Sequence, residues 1–480
     1  MKTVFLFLRQ GISNRNLLRT EFLKTLKANP DVRVVIISPI GDDPDFRSEF
    51  EAANVCVEKW PRTRVGFWEK RLKNLKDYIW VSRGLTQAIR LGRLAQRGRW
   101  GLAWRDAVGR LAKGIGISED NINKWEMKVY KSTLGVRQLY DNYHPDLVIF
   151  TRLFGSNLQV IKEAKKRRIP VLCLVESWDN FICKGPLSIV PDSIAVWNEG
   201  MVVEASDLHG FPREKAHVVG VPQFDLYANG TLFMEREAFF RAHGLDPSRK
   251  LVTYAASTEG IARNEPGIVE GLYWTIQQNQ LSMAAQLLVR LHPITSPGLR
   301  QAYYRRFANR PHVVIQEPGR SSSLHDGWDP SWSDMLMLGS TIVHSDVIVN
   351  VASTMTIDAA ALDRPVVCVA FEEDQSGAHT EHLKGIFYHS HYRKLVDTKA
   401  LRLVFSKEEL ARAISEYFKD PTLDRAGREQ LRAELCYRLD GQSSHRAALI
   451  VLGELGAIMR PADQVENATI NAASFFGTAS

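Results

Sequence analysis

Short apolar runs alternate with segments of helical spacing along most of this 480-residue chain. In the first half, residues 4–8, 32–38, 146–151, 171–175, 192–198 and 216–220 each read as a strand. These runs are nearly continuous in apolar character rather than alternating, which predicts strands buried on both faces. Residues 16–28, with Leu17, Leu18, Phe22, Leu23 and Leu26 on one side, and 158–168 have helical spacing. The second half repeats the rhythm with strands at 251–255, 286–292, 313–316, 347–351 and 366–369. Helices are expected around 268–278 and over 407–418 and 423–439. Strand and helix in strict alternation predict parallel sheets covered on both sides, an α/β architecture.

At 480 residues one core is not enough, so two Rossmann-like domains are expected. The Pro- and Gly-bearing stretch 221–230 lacks a long apolar run and marks the boundary. It divides the chain into an N-terminal domain over 1–225, a C-terminal domain over 226–455 and a small, polar tail over 456–480 that is expected to fray. Residues 60–130 form a helical insertion in the first domain, interrupted near Gly114 and Gly116.

Ligands of such sheets bind where strands end, so the polar residues just after apolar runs are the candidates for chemistry. The stretch 346–369 reads as strand, turn, helix and strand. Ser353 and Thr354 stand at the turn, Asp358 opens an Ala-rich helix and Pro365 stops it. Hydroxyls at a helix start either cap the helix or bind a diphosphate together with the free N–H groups. Asp358 either complements the helix dipole or accepts from a ribose or sugar hydroxyl. Ser257 and Thr258 follow the 251–254 strand in the same manner, and His292 follows Arg290 at the end of 286–292. His292 is placed for a phosphate or leaving-group contact. In the first domain Glu176, Ser177, Trp178, Asp179 and Asn180 follow a strand, with Lys184 shortly after. A carboxylate at that rim suits a general base that takes a proton from an acceptor hydroxyl, with Asp179 placed ahead of Glu176. The plainer reading of Asp179 is a turn cap.

Charge sharpens one part of this picture. The chain carries a formal +8, yet Trp60 to Lys113 holds fourteen Lys/Arg against three acids, so the remainder sums to about −3. Five of the eleven tryptophans fall in the same segment. Basic residues interleaved with Trp and Leu fit amphipathic helices on an anionic membrane surface, a polyanion binder, or long helices whose aromatics face the core. No run approaches the ~18 apolar residues that a membrane span needs. Residues 4–8 are too short for a signal-peptide core and read as the first strand, so a soluble, cytoplasmic protein is expected. Five scattered cysteines without a CxxC pair are expected as reduced thiols, two of them in the core at Cys173 and Cys368. There is no GxxxxGK[ST] loop, no GxGxxG after the first strand, no GxSxG elbow and no clustered His/Cys spacing. Asp43-Pro44-Asp45 lies in a turn and is weak as a metal–nucleotide motif. No metal and no cofactor are therefore expected.

The run Ala352-Ser353-Thr354 with Asp358 and Pro365, preceded by Arg290-Leu291-His292-Pro293 and by Val219-Gly220-Val221-Pro222-Gln223-Phe224-Asp225, resembles bacterial GT-B glycosyltransferases of surface polysaccharide assembly. It is also similar to the CDP-glycerol glycerophosphotransferase group. The likeness runs in pieces over 145–375. It implies two Rossmann-like domains facing each other across a cleft, with a nucleotide-sugar donor on Ser257, Thr258, Arg290, His292, Ser353, Thr354 and Asp358. Asp179, Glu176 and His292 would serve catalysis, and Trp178, Asn180 and Lys184 would hold the acceptor, which the resemblance implies is a lipid-linked saccharide. The basic segment 60–113 would then rest on the inner leaflet, and nucleic acid is not an expected partner. Alternatives of other classes are a glycerophosphotransferase, a nucleotide-sugar epimerase or hydrolase, and a non-catalytic polyanion binder.

Overall fold

The computed structural model describes residues 1–82, 87–154, 158–228, 230, 233–258, 261–262, 264–322, 324, 327–372, 378–388 and 390–456. For 87–99, 320–321, 378–379 and 390 it describes the backbone alone. Glu259 and Gly260, which follow Ser257 and Thr258, and the expected tail beyond 456 lie outside the described residues.

The chain forms two compact units. The first comprises Met1–Arg9, Asn16–Gly220 and the last helix from Ser444 on; the second comprises Gln10–Arg15 and Val221–Ser443. The break at Val221 lies at the start of the expected boundary stretch. The helix Ser443–Glu454, however, groups with the first unit rather than with the C-terminal one. Its Arg446 donates to the Val219 carbonyl (2.8 Å), and His445 Nδ1 meets Thr25 Oγ1 (3.1 Å).

The first unit is built on seven parallel strands: β1 (Lys2–Phe7), β2 (Val32–Ser38), β3 (Val55–Lys59), β4 (Leu147–Phe150), β5 (Val171–Leu174), β6 (Ser193–Val196) and β7 (Ala216–Val218). Their order is β3-β2-β1-β4-β5-β6-β7. The second unit carries β8 (Lys250–Ala255), β9 (Ala285–Arg290), β10 (Val313–Gln316), a two-strand ribbon of β11 (Arg320–Ser321) and β12 (Trp328–Asp329), then β13 (Val347–Asn350), β14 (Val366–Val369) and β15 (Arg402–Val404). Its main sheet runs β10-β9-β8-β13-β14-β15, all parallel. Central strands are buried at every residue, as continuous apolar runs require. Strand order reverses between β1 and β4 and again between β8 and β13. These are the switch points at whose C-terminal ends open α/β sheets place ligands.

Several local features depart from the sequence reading. β3 and β15, both at sheet edges and partly polar, were not expected. Asp43-Pro44-Asp45 is the start of a helix, Pro44–Phe50: Asp43 Oδ1 accepts from the N–H groups of Asp45 (2.9 Å) and Phe46 (3.2 Å). Pro44 sits where a missing N–H costs nothing. The helix expected over 423–439 is Arg425–Leu431 followed by a π turn, Arg432–Cys436, and ends at Tyr437 with φ +64°. All five cysteines are free; Cys173, Cys368 and Cys436 are buried.

The expected insertion is three helices, Phe67–Val81, Gln87–Gly114 and Glu119–Val129. It is fastened to the sheet-covering helix Gln159–Arg167 by a buried ion cluster. Lys162 Nζ reaches Glu69 (2.8 Å) and Glu126 (2.6 Å), and Lys76 donates to the Leu187 carbonyl (3.0 Å). All four side chains are nearly sealed from solvent. Burial lowers the pKa of Lys76 and of the neighbouring Lys73.

Candidate functional site

In the second unit, β9 ends on Arg290, which is 8% exposed. Its Nη1 donates to Gln316 Oε1 (2.5 Å) at the end of β10. Burial lowers the guanidinium pKa to about 10, an effect opposed by the nearby Asp334, Tyr227 and Asp358. His292 follows two residues on. Its Nδ1 accepts from the Ile294 N–H (3.2 Å), which leaves the Nε2 position as the N–H donor of the neutral ring. Burial, and then the Arg290 charge, lower its pKa to about 4.

His292 is therefore a neutral hydrogen-bond donor at pH 7, not a cation. Below about 6.5 the unfolded chain takes up a proton that the folded ring refuses until about 4, so this residue costs stability as pH falls through that window. Following the His292 ring by NMR is expected to show no titration between pH 5.5 and 8, an interval set roughly by the free imidazole value. A midpoint near 6.5 would contradict this assignment.

Asp358 does not open its helix, which begins at Met355 and runs to Ala361; it lies in the first turn, 6% exposed. Its Oδ1 accepts from the Tyr227 hydroxyl (2.7 Å), a residue of the 3₁₀ segment Pro222–Ala228. Burial raises the carboxyl pKa, opposed by Tyr227, Arg15 and Arg290. Arg15 hydrogen-bonds Gln223 and lies over the Trp328 ring (5.8 Å), while Asn14 donates to Asp329 (3.0 Å). Gly11 permits that approach, since a Cβ there would stand 2.0 Å from the Trp328 carbonyl oxygen. Arg15, Tyr227 and Gln223 were not among the expected site residues; they join Asp358 and Arg290 only through the tertiary fold.

The hydroxyls divide their roles. Ser353 Oγ accepts from the Met355 N–H (3.2 Å), the ordinary capping use, and the Ser353 N–H donates to Asn350 Oδ1 (3.1 Å). Thr354 is exposed and makes no cap bond. Ala352 holds φ +46° to turn the chain between β13 and the helix. After β8, the Ser257 N–H donates to Glu265 Oε1 (2.8 Å). The hydroxyls of Tyr254 (3.2 Å) and Tyr303 (3.0 Å) donate to the same buried carboxylate. Thr258 follows, half-buried.

The first unit presents its own rim. Asp179 leads the short helix Asn180–Cys183; its Oδ1 accepts from Ser177 Oγ (2.6 Å) and its Oδ2 lies 3.9 Å from Lys184 Nζ. The Asp179 side chain is 21% exposed and Lys184 47%. Glu176, Trp178 and Asn180 are buried, so of the expected acceptor group only Lys184 is well exposed. His209 Nε2 meets the Phe181 carbonyl (2.9 Å), and its ring stacks on Trp80 at 6.1 Å. That aromatic support fixes the Asp179 turn.

A second pair of residues stands at the switch point of this unit. Phe7 on β1 pairs with Phe150 on β4, which sets Arg9 and Arg152, each two residues on, side by side. Arg9 lies over the Trp60 ring (5.7 Å), and burial together with Arg152 lowers its pKa. Two adjacent cations at strand ends form a place for an anionic group. Both follow apolar strands, the same signal that picked out His292, but their adjacency depends on β4 pairing with β1.

No family model and no curated protein sequence matches this chain. Solved structures do. It is similar over 96% of its length to all of the S. aureus MnaA solved with UDP, at 12% identity and a TM-score of 0.55. A glycosyltransferase from Rickettsia africae aligns at 12% identity and 0.52, with 95% of this chain and 98% of that one covered. The two sheets, their order and this coverage decide the architecture. The fold is GT-B. The wall teichoic acid polymerase TagF shares it at 11% identity and 0.51, covering 95% of this chain and 89% of that one. At such identities the GT-B likeness speaks for the architecture, and chemistry is argued from the residues.

Proposed function

We propose that this chain moves a glycosyl group from a nucleotide-sugar to a hydroxyl of a saccharide acceptor. The observation that carries the reading is the pair of Arg290 and a neutral, N–H-donating His292 at the C-terminal end of β9, near the Tyr227–Asp358 pair, with Thr354 exposed past the end of β13 in the same sheet. A GT-B neighbour solved with UDP supports it. In this scheme Asp179 takes the acceptor proton as the acceptor oxygen bonds to the anomeric carbon. The bond from that carbon to the nucleotide phosphate breaks, its electron pair leaves with the phosphate, and Arg290 and the His292 N–H stabilise the charge. Arg9 and Arg152 suit an anionic group on the acceptor side, such as the phosphate of a lipid-linked saccharide. A glycerophosphotransferase would use the same phosphate contacts.

The division of labour at the β13 turn gives a separable result. Thr354→Val is expected to weaken nucleotide affinity by roughly ten- to a hundred-fold, one hydrogen bond to a charged group. Ser353→Ala is expected to cost about 1 kcal/mol of stability through the lost cap. Calorimetric affinity unchanged in Thr354→Val removes that hydroxyl from the donor site. To test the function itself, the chain is incubated with a panel of nucleotide-sugars and CDP-glycerol, with and without saccharide and lipid-linked acceptors, and products are read by mass spectrometry. Nucleotide release that requires the acceptor is expected. Sugar freed without one would replace the reading by a hydrolase, and sugar epimerised without one by an epimerase, the activity for which two neighbouring structures are named.

A further inference from the structure

The three-helix insertion is built with one face reversed. The helix Gln87–Gly114 lies against Phe67–Val81 through small residues: Gly109 and Ala112 are buried, and a Cβ on Gly109 would stand 2.0 Å from the Tyr78 carbonyl oxygen. Over 100–114 its outward side carries the large apolar groups. Trp100 is 90% exposed, Trp104 61% and Leu111 67%, and Ile115 just past the helix end is 69% exposed. At α-helical spacing Trp100, Trp104, Ala107 and Leu111 fall within an arc of roughly 60°. A helix that only covers a core turns such residues inward. Phe67 and Trp68, in ring contact at 5.3 Å, are exposed on the adjoining helix.

The charged residues around this stripe are cationic apart from Asp106. Lys70, Arg71, Arg110 and Lys113 are exposed; Arg71 lies over Phe67 (5.1 Å), and Arg110 pairs with Asp106 (2.9 Å). The segment from Trp60 to Lys113 keeps its excess of eleven positive charges. Among the described residues no helix is long and apolar enough to cross a membrane. Tryptophans at an interface, aliphatics between them and lysines and arginines at the margin are the composition of a helix lying in a lipid headgroup layer. A nucleic-acid surface offers nothing for Leu111 and Ile115 to enter, and a protein partner does not account for the charge.

We propose that the exposed face of the helix Gln87–Gly114 over residues 100–114, with Trp100, Trp104 and Leu111 inserted at the headgroup–acyl boundary, docks this protein on an anionic lipid bilayer. The same helix packs against Asn180–Cys183, directly behind Asp179. The inference is independent of the transferase reading, since it concerns binding and not turnover.

The test uses the full chain with vesicles of phosphatidylglycerol and phosphatidylethanolamine, and with vesicles of phosphatidylcholine alone. Co-sedimentation is expected with the first, reduced by salt, together with quenching of tryptophan emission by brominated acyl chains. Trp100→Ser with Trp104→Ser, at exposed sites where folding is checked by circular dichroism, is expected to lower partitioning by at least roughly ten-fold. The proposal is overturned by no binding to anionic vesicles, by binding that the double variant leaves unchanged, or by sedimentation with an RNA homopolymer in place of vesicles. Concentration-dependent self-association without vesicle binding would overturn it equally, assigning the face to a second copy of the chain.

Discussion

Asp179→Asn is expected to reduce transfer by roughly 10²–10⁴-fold, the usual contribution of a positioned general base, with nucleotide affinity changed by less than about two-fold. Asn keeps the shape of the side chain and can still meet Ser177 Oγ, which lies 2.6 Å from the carboxylate, so the turn at the head of Asn180–Cys183 is preserved. What it loses is the ability to take a proton. Single-turnover measurement with donor and acceptor both saturating separates this from a binding defect. Wild-type rates in the variant would remove Asp179 from the mechanism and return it to the role of a turn residue.

The largest stability effect is expected at Lys162. Its ammonium lies between Glu69 and Glu126, and removing it as Lys162→Met strands the Glu69 carboxylate and leaves Glu126 with Lys76 alone, in a site that is almost closed to solvent. Breaking a buried pair from one side costs about 3–5 kcal/mol. The loss is expected in the urea transition of the first unit, with that of the second unmoved. The double change Lys162→Met, Glu69→Gln is expected to recover much of it, because Glu126 keeps Lys76, 3.7 Å away, as its counter-charge and no carboxylate is left without one. A shift below about 1 kcal/mol in the single variant would mean that water reaches the cluster and screens it as at a surface.

The parts of this molecule that were legible in its sequence share one physical property. Strands covered on both faces carry continuous apolar runs, so β1, β2, β9, β13 and β14 announce themselves without help from neighbours. Edge strands need not be: VCVEK in β3 and RLV in β15 are short and half-polar, and neither carries a period to read. The break at Tyr437 has no glycine or proline to mark it. At the site, Arg290 and His292 were readable because they sit at the last residue of a strand and just past it. Their environment was not, since Gln316, Tyr227 and Asp334 come from distant segments. The reading of Ser353 and Thr354 as one pair gave way to geometry, which gives the first to the helix and leaves the second outward. Trp178 and Asn180 could not be told from surface residues by type alone; only the fold shows them buried.

The central claim is that the second unit is a nucleotide site, and calorimetric titration of the whole chain with nucleoside mono- and diphosphates tests it most directly. Saturable binding of at least one nucleoside diphosphate is expected, with affinity lowered roughly ten-fold or more in Arg290→Met, which removes a charged partner of the phosphate. Absence of binding by every nucleotide tried, or equal affinity in the Arg290 variant, would contradict it.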